Sequence, residues 1–300
     1  MAELTKIADY GDLCGECPVW DPEEAALYWT DCTGLKFLRY DWRSRKPEIV
    51  RQGLAVNGFR RNRPGGFVIT NNDGVWLWDG QGEPQLVTAD AQGSRCQLND
   101  CTADPAGRLI AGSYFYNPAE PYPLGKLILA DTDGNARVLD EGFHLSNGLG
   151  FSPDGRTLYF ADSAARLIYA YDYEAGAGSV RNRRIFVQVP REEGLPDGLA
   201  VDAQGFVWSA QWYGSCVVRY DPDGKVERRI PTPAKQTSSL AFGGPDLTDI
   251  FITSAGQSEP MPVMPPGYDA ASGYFGGALY HANLGMPGRA QYMANIAIRR

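Results

Sequence analysis

Histidine is almost missing from this chain: His144 and His281 are the only two in 300 residues. A Ser-His-Asp triad or a His-built metal cage would have to draw on one of them, and both are read as structural or surface residues. Cysteine is scarce as well. Six in 300 residues are too few to staple a fold of this length, so they are read as reduced thiols and the protein as cytosolic, hence cytoplasmic. One pair, Cys14-Gly-Glu-Cys17, has C-x-x-C spacing, but without a second pair or a nearby histidine it says little for zinc or redox work. No apolar run approaches the roughly 18 to 20 residues of a membrane helix, and the opening MAELTKIADYGDL lacks the apolar segment of a secretory leader. No membrane partner is expected. Positive charge is in deficit too. The net charge is −8, and no basic stripe marks a nucleic-acid surface. The short pairs Arg60-Arg61 and Arg299-Arg300 are read as solvated surface. Long helical periodicity is also absent.

What the chain has instead is punctuation: 35 glycines and 21 prolines. Between them lie short runs rich in β-branched and aromatic residues, which read as strands. The runs repeat. Glu16, Asn57, Asn99, Asn147, Asp197 and Ser238 each stand five residues ahead of a turn, at Asp21, Asn62, Asp104, Ser152, Asp202 and Gly243. Their separations are 41, 42, 48, 50 and 41 residues. Each copy continues with an apolar strand, such as LYWTD at Leu27 or LYFAD at Leu158, and then a further one, such as FLRYD at Phe37 or IYAYD at Ile168. EIV at Glu48 and ARVL at Ala136 supply outermost strands. The pattern predicts an all-β, six-bladed β-propeller with about four antiparallel strands per blade, in one domain over residues 1–300.

In a propeller the first strand of each blade lines the central channel. The six residues therefore form one oxygen-bearing ring around one end of it. Two carboxylates at close range repel each other, and a bound cation removes that cost. Carboxylate and amide oxygens without His or Cys suit one hard divalent ion, Ca²⁺ first, with Mg²⁺ or Mn²⁺ as alternatives and Zn²⁺ less favoured.

The segments GECPVWDP with LYWTD, LNDCTADPAGRLIAGS, LSNGLGFSPDGRTLYFADS, LPDGLAVDAQGFVWSAQW and TSSLAFGGPDLTDIFITSA run in the order of a known pattern. Over roughly residues 7 to 285 the chain resembles the SMP-30/gluconolactonase/luciferin-regenerating family of six-bladed propellers. The resemblance implies Glu16, Asn147 and Asp197 as ligands of a single divalent metal, Asn99 near the metal or the substrate, and Asp197 as the base. It implies hydrolysis of a lactone, a small-molecule substrate, by water attack on a metal-polarised carbonyl. Either Asp197 or the metal itself would deprotonate the water.

The chain departs from the family pattern at several points. Gln97 stands where relatives often carry Arg, two residues before Asn99 and so on the same side of a strand. Cys101-Thr102 replaces the usual Gly-Lys, and Tyr114 a common Met. Asn57, Gln97, Asn99, Tyr114 and Trp212 are the expected substrate contacts. YFYNPAEPYPLG, Tyr114 to Gly125, is expected over the channel mouth, and the insertion Gly256 to Gly277 beside it. Gluconolactone itself is thereby placed in doubt as the substrate. Two other readings stand beside the lactonase: a phosphotriesterase-like metal-dependent hydrolase, and a non-catalytic, metal-stabilised ligand-binding propeller. Oligomeric state is not read from the sequence.

Overall fold

The structure, a computed structural model, describes residues 3–257 and 260–297. Arg299-Arg300 and, within the insertion, Ser258 and Glu259 lie outside the described residues. Six four-stranded antiparallel sheets make up the fold, one per blade, and no helix occurs among the described residues. The innermost strands are Gly15–Asp21, Gly58–Arg61, Leu98–Ala103, Ser146–Phe151, Leu195–Val201 and Thr237–Gly243. Five blades are built from consecutive strands. The sixth takes its outermost strand, Thr5–Asp9, from the start of the chain, where it pairs with Ala278–Asn283. This closure has no repeat signal, because it is a single strand far from the blade it completes.

The second strand of each blade is buried on both faces. Ala26–Asp31 and Asp249–Ser254, for example, are buried throughout. Outermost strands are polar and exposed, as in Val226–Pro231. Hydrophobic surface is thus removed from water between blades. Phe37 of blade 1 packs edge-on against Phe59 of blade 2, with ring centroids 4.7 Å apart. Phe67 and Trp78 join the same cluster. Aromatic pairs of this kind add about 0.5 to 1.5 kcal/mol each beyond the area they bury.

A short hairpin, Asp90–Ala91 with Ser94–Arg95, precedes the third blade. It holds Arg95 outside the inner strand, where Arg95 is exposed beside Asp73. The segment 284–297 then runs across the end of the channel where the inner strands finish. Its backbone bonds to Ala203, Leu247, Arg61, Arg63, Gly107 and Thr132, and the Arg289 guanidinium donates to the carbonyls of Phe151 and Ser152. That end is closed. Arg60, expected on the surface, is 4 % exposed and points into the channel, with Nη1 2.6 Å from the Phe59 carbonyl. The reason is register: strand residues alternate sides, and its neighbour Arg61 takes the outer position, pairing with Asp21.

Candidate active site

The ring residues stand at a break in each inner strand. In five blades one extra residue is inserted at or just after the ring position. In blade 1, Glu16 pairs with Thr30 but Val19 pairs with Tyr28. Such bulges bend the strand and re-aim a side chain, which is what a channel-facing group at a strand start needs.

The Asn-Gly and Asp-Gly pairs have a different cause from the turn chemistry their composition suggests. A Cβ on Gly148 would meet the Asp197 carbonyl at 2.5 Å, and one on Gly198 would meet Ser239 Oγ at 2.1 Å. Inner strands of neighbouring blades converge at the axis, and at Gly148 and Gly198 there is no room for a side chain. Glycine there lets the ring residues approach one another.

Side-chain ties hold this convergence. Thr30 Oγ1 donates to the Val56 carbonyl, Asn57 Nδ2 to Leu98, Asn99 Nδ2 to Ser146, Ser163 Oγ to Pro196 and Ser238 Oγ to Gly15. Each acceptor is the carbonyl just before the next ring residue, so five of the six blade junctions are stitched by one rule. Asn57 and Ser238 are thereby occupied in holding blades together. Asn147 is oriented from both sides: its Nδ2 donates to Ser163 Oγ at 2.8 Å, and its Oδ1 accepts from Asn99 Nδ2 at 2.7 Å.

Two further carboxylates hold the loops that lead into the ring. Asp31 accepts from the Leu13 and Cys14 amides, at 3.0 and 2.9 Å, just ahead of Glu16. Asp162 does the same for His144 and Leu145, at 2.8 and 3.0 Å, just ahead of Asn147. These are the last residues of LYWTD and LYFAD. Their side-chain role is not readable from strand patterning, although the shared terminal Asp was visible.

The structure brings Glu16, Asn99, Tyr114, Asn147, Asp197 and Trp212 together in the wall of one cavity of about 290 Å³ at the open end of the channel. Cys14, Cys32, Leu13, Leu145, Leu195 and Tyr213 join them, with Gln257 and Met261 from the sixth-blade insertion. The insertion had been expected beside the mouth; the other residues had not been singled out for the site. Asn57 and Gln97 are not in this wall. The Gln97 carbonyl receives the Tyr114 amide at 3.2 Å, just outside the inner strand. Of the Tyr114–Gly125 stretch only Tyr114 reaches the cavity. Tyr122 bonds instead to His144, 2.9 Å from Oη to Nδ1. The other histidine, His281, pairs with Asp249 at 2.7 Å.

Burial pushes the Glu16 carboxyl well above the usual carboxylate range, and the charge of Asp197 pushes it further. Burial does the same to Asp197, with Asp100 as the next cause. No Lys, Arg or His lies in the described wall. Among the described residues no cluster of three or more His, Cys, Asp and Glu side chains stands ready for a metal. The donor set therefore fits a cation only with Asn147 included: two carboxylates and an amide oxygen, all hard ligands.

The sequence matches the family model for the SMP-30/gluconolactonase/LRE-like region over residues 14–256. The chain belongs to this family. It is 33% identical over 297 residues to a pentonolactonase of Haloferax volcanii, covering 98% of this chain and 99% of that one. It is also 33% identical over 246 residues to a 6-deoxy-6-sulfogluconolactonase of Pseudomonas putida, covering 81% and 84%. Among solved structures, a luciferin-regenerating enzyme superposes with a TM-score of 0.85 at 26% identity, over 99% of this chain and 100% of that one. The family match spans all six ring positions and the inner strands that carry them. Its start at Cys14 and end at Gly256 bracket the channel-lining strands and exclude the N-terminal closing strand and the C-terminal strap.

Proposed function

We propose that this protein is a divalent-cation-dependent lactonase. The observation that carries the reading is the pair of carboxylates, half-buried Glu16 and buried Asp197, in one cavity wall that has no cationic side chain to balance them. The lactonases among its relatives support it.

In this reading Glu16, Asn147 and Asp197 hold the cation, Ca²⁺ first among the candidates. When bound, it polarises the lactone carbonyl and balances the charge that develops on the carbonyl oxygen. Asp197 takes the proton from the attacking water. Burial raises its proton affinity in the cation-free chain, and a ligating cation opposes that rise. Asn99, Tyr114 and Trp212 contact the substrate. Asn57 and Gln97 act through these groups. Asn57 holds the Leu98 carbonyl next to Asn99, and the Gln97 carbonyl holds the Tyr114 amide. A wall with no Lys, Arg or His favours an uncharged lactone over a sulfonated or phosphorylated one, because an anion there would meet no fixed cationic side chain.

The test is a panel of neutral five- and six-carbon aldonolactones, an anionic lactone and an organophosphate triester, each assayed with and without a chelator. Opening of the neutral lactones, abolished by the chelator and restored by a divalent ion, is the expected result. No turnover of any lactone with divalent ions supplied would overturn the reading in favour of a ligand-binding propeller. Faster turnover of the triester would overturn it in favour of a phosphotriesterase.

A further inference from the structure

The cysteine partner that the fold gives Cys14 is not the one its spacing suggests. Cys17, three residues on, is 3 % exposed, and its Sγ receives Arg60 Nη1 at 3.1 Å and the Phe59 amide at 3.3 Å inside the channel. Cys14 faces Cys32 instead. Gly15 pairs with Asp31 and Glu16 with Thr30 in the antiparallel ladder between the first two strands of blade 1. One step further out, the Cys32 amide donates to the Cys14 carbonyl at 3.0 Å. Directly opposed residues in such a ladder place their side chains on the same face, with Cα atoms about 4.5 to 5.5 Å apart. A disulfide requires about 4.4 to 6.8 Å. Both cysteines are half-buried in the wall of the mouth cavity, and Cys14 is two residues from Glu16. The remaining cysteines lie apart from this pair: Cys96 and Cys101 are buried in the core between blades, and Cys216 is in blade 5.

We propose that Cys14 and Cys32 form a reversible dithiol–disulfide couple in the wall of the cavity, and that closing it lowers the activity of the site beside it. The oxidant is a small disulfide of the glutathione class. One thiolate of the pair attacks a sulfur of the small disulfide and expels one small thiol, leaving a mixed disulfide on the protein. The second cysteine attacks the protein sulfur of that mixed disulfide and expels the other small thiol. Two protein thiols become one disulfide, and one small disulfide becomes two small thiols, so atoms and electrons balance. The strand start that carries Glu16 lies inside the short loop closed by the bridge. Both cysteines line the cavity beside Glu16, so closing the bridge changes the shape and polarity of the wall there.

Folded protein is equilibrated with oxidised glutathione, its free thiols are alkylated, and it is digested without reduction for peptide mapping. The expected product is a Cys14–Cys32 linked peptide, lost again on treatment with dithiothreitol. Cys14→Ser is expected to stop the reaction at a stable glutathione adduct on Cys32, and Cys32→Ser at an adduct on Cys14. Cys14 bridged to Cys17, or separate glutathione adducts on Cys14 and Cys32 in the unaltered protein, would overturn the couple. The same samples are assayed for lactone opening. A several-fold fall on oxidation, recovered on reduction, is expected, and a fully bridged protein as active as the reduced one would overturn the switch. If the reduced protein opens no lactone, the proposed function fails, while the peptide map still decides the couple.

Discussion

The two ends of the channel are built from the same six strands and treat charge in opposite ways. At the mouth, where the inner strands begin, Glu16 and Asp197 face each other across a cavity with no cation in its wall. At the base, where the strands end, Arg60 and Arg289 border a cavity of about 50 Å³, roofed by the chain between Ala290 and Tyr292. The mouth is left open and electrostatically unsatisfied. The base is shut: Arg289 reaches the carbonyls of Phe151 and Ser152, and Arg60 Nη1 reaches the Phe59 carbonyl and Cys17 Sγ, while Arg60 Nε has no partner. Buried like charges cost stability unless something outside the protein completes them. The mouth therefore tolerates strain on behalf of a ligand, and the base supplies stability.

The largest effect expected from this contrast is at the mouth. Asp197→Asn should lower kcat for lactone opening by about 10²- to 10⁴-fold, the range a positioned base contributes. The same variant should not lose stability in cation-free buffer, since it removes one of two like charges. A clear fall in its melting temperature would place Asp197 among the stabilising groups and erase the contrast.

The base should give the converse result. Asn62 Nδ2 donates to the Ile296 carbonyl at 3.0 Å and its Oδ1 accepts the Ile296 amide at 2.9 Å, both buried. Asn62→Ala leaves two buried backbone groups unpaired and should cost about 2 to 4 kcal/mol in denaturant unfolding. Lactone kinetics at low temperature should be unchanged. A kinetic defect as large as the stability defect would mean the two ends are coupled.

Asp162 tests the boundary between the two behaviours, since it supports the mouth without entering it. Asp162→Asn keeps one acceptor for the His144 and Leu145 amides and loses the other. A cost of about 1 to 3 kcal/mol is expected, together with weaker cation binding through Asn147, measured by calorimetric titration. Unaltered cation affinity would show that the loop holds Asn147 without this anchor.

The smallest effect is in pH. The Glu16 and Asp197 carboxyls sit above their unfolded values because burial disfavours the charged form. The folded chain then binds more protons than the unfolded one above the usual carboxylate range of about 3.9 to 4.3. Cation-free stability should therefore fall as pH rises from there towards the raised values. Denaturant midpoints at pH 5 and pH 7 in chelator should show the protein more stable at pH 5. Saturating divalent ion should shrink or reverse the difference.

The contrast between the ends also marks what the sequence could reveal. The ring positions were legible because they repeat at a fixed distance from six turns, but not that Asn57 and Ser238 tie blades together and stay out of the cavity wall. Blade boundaries followed from the same spacing. The base was not legible. The strap across residues 284–297 and the closing strand Thr5–Asp9 each occur once, and their contacts are mostly backbone hydrogen bonds, which carry no side-chain signature. Arg60 was misjudged because a two-residue basic run looks alike on a surface and across a strand with one face in a channel. The glycines after Asn147 and Asp197 are explained only by the close approach of neighbouring inner strands, which the sequence does not show. The partner of Cys14 is set by strand pairing, not by its spacing from Cys17.

The central claim is that the mouth carboxylates hold a divalent cation on which lactone opening depends. The most direct measurement is calorimetric titration of Ca²⁺ into chelator-stripped protein, run beside lactone kinetics on the same samples, for the unaltered chain and for Glu16→Gln. The account predicts one ion bound per chain, activity absent before the titration and restored in step with binding, and both lost in Glu16→Gln. Full lactone turnover by the stripped protein, or undiminished Ca²⁺ binding in Glu16→Gln, would contradict it.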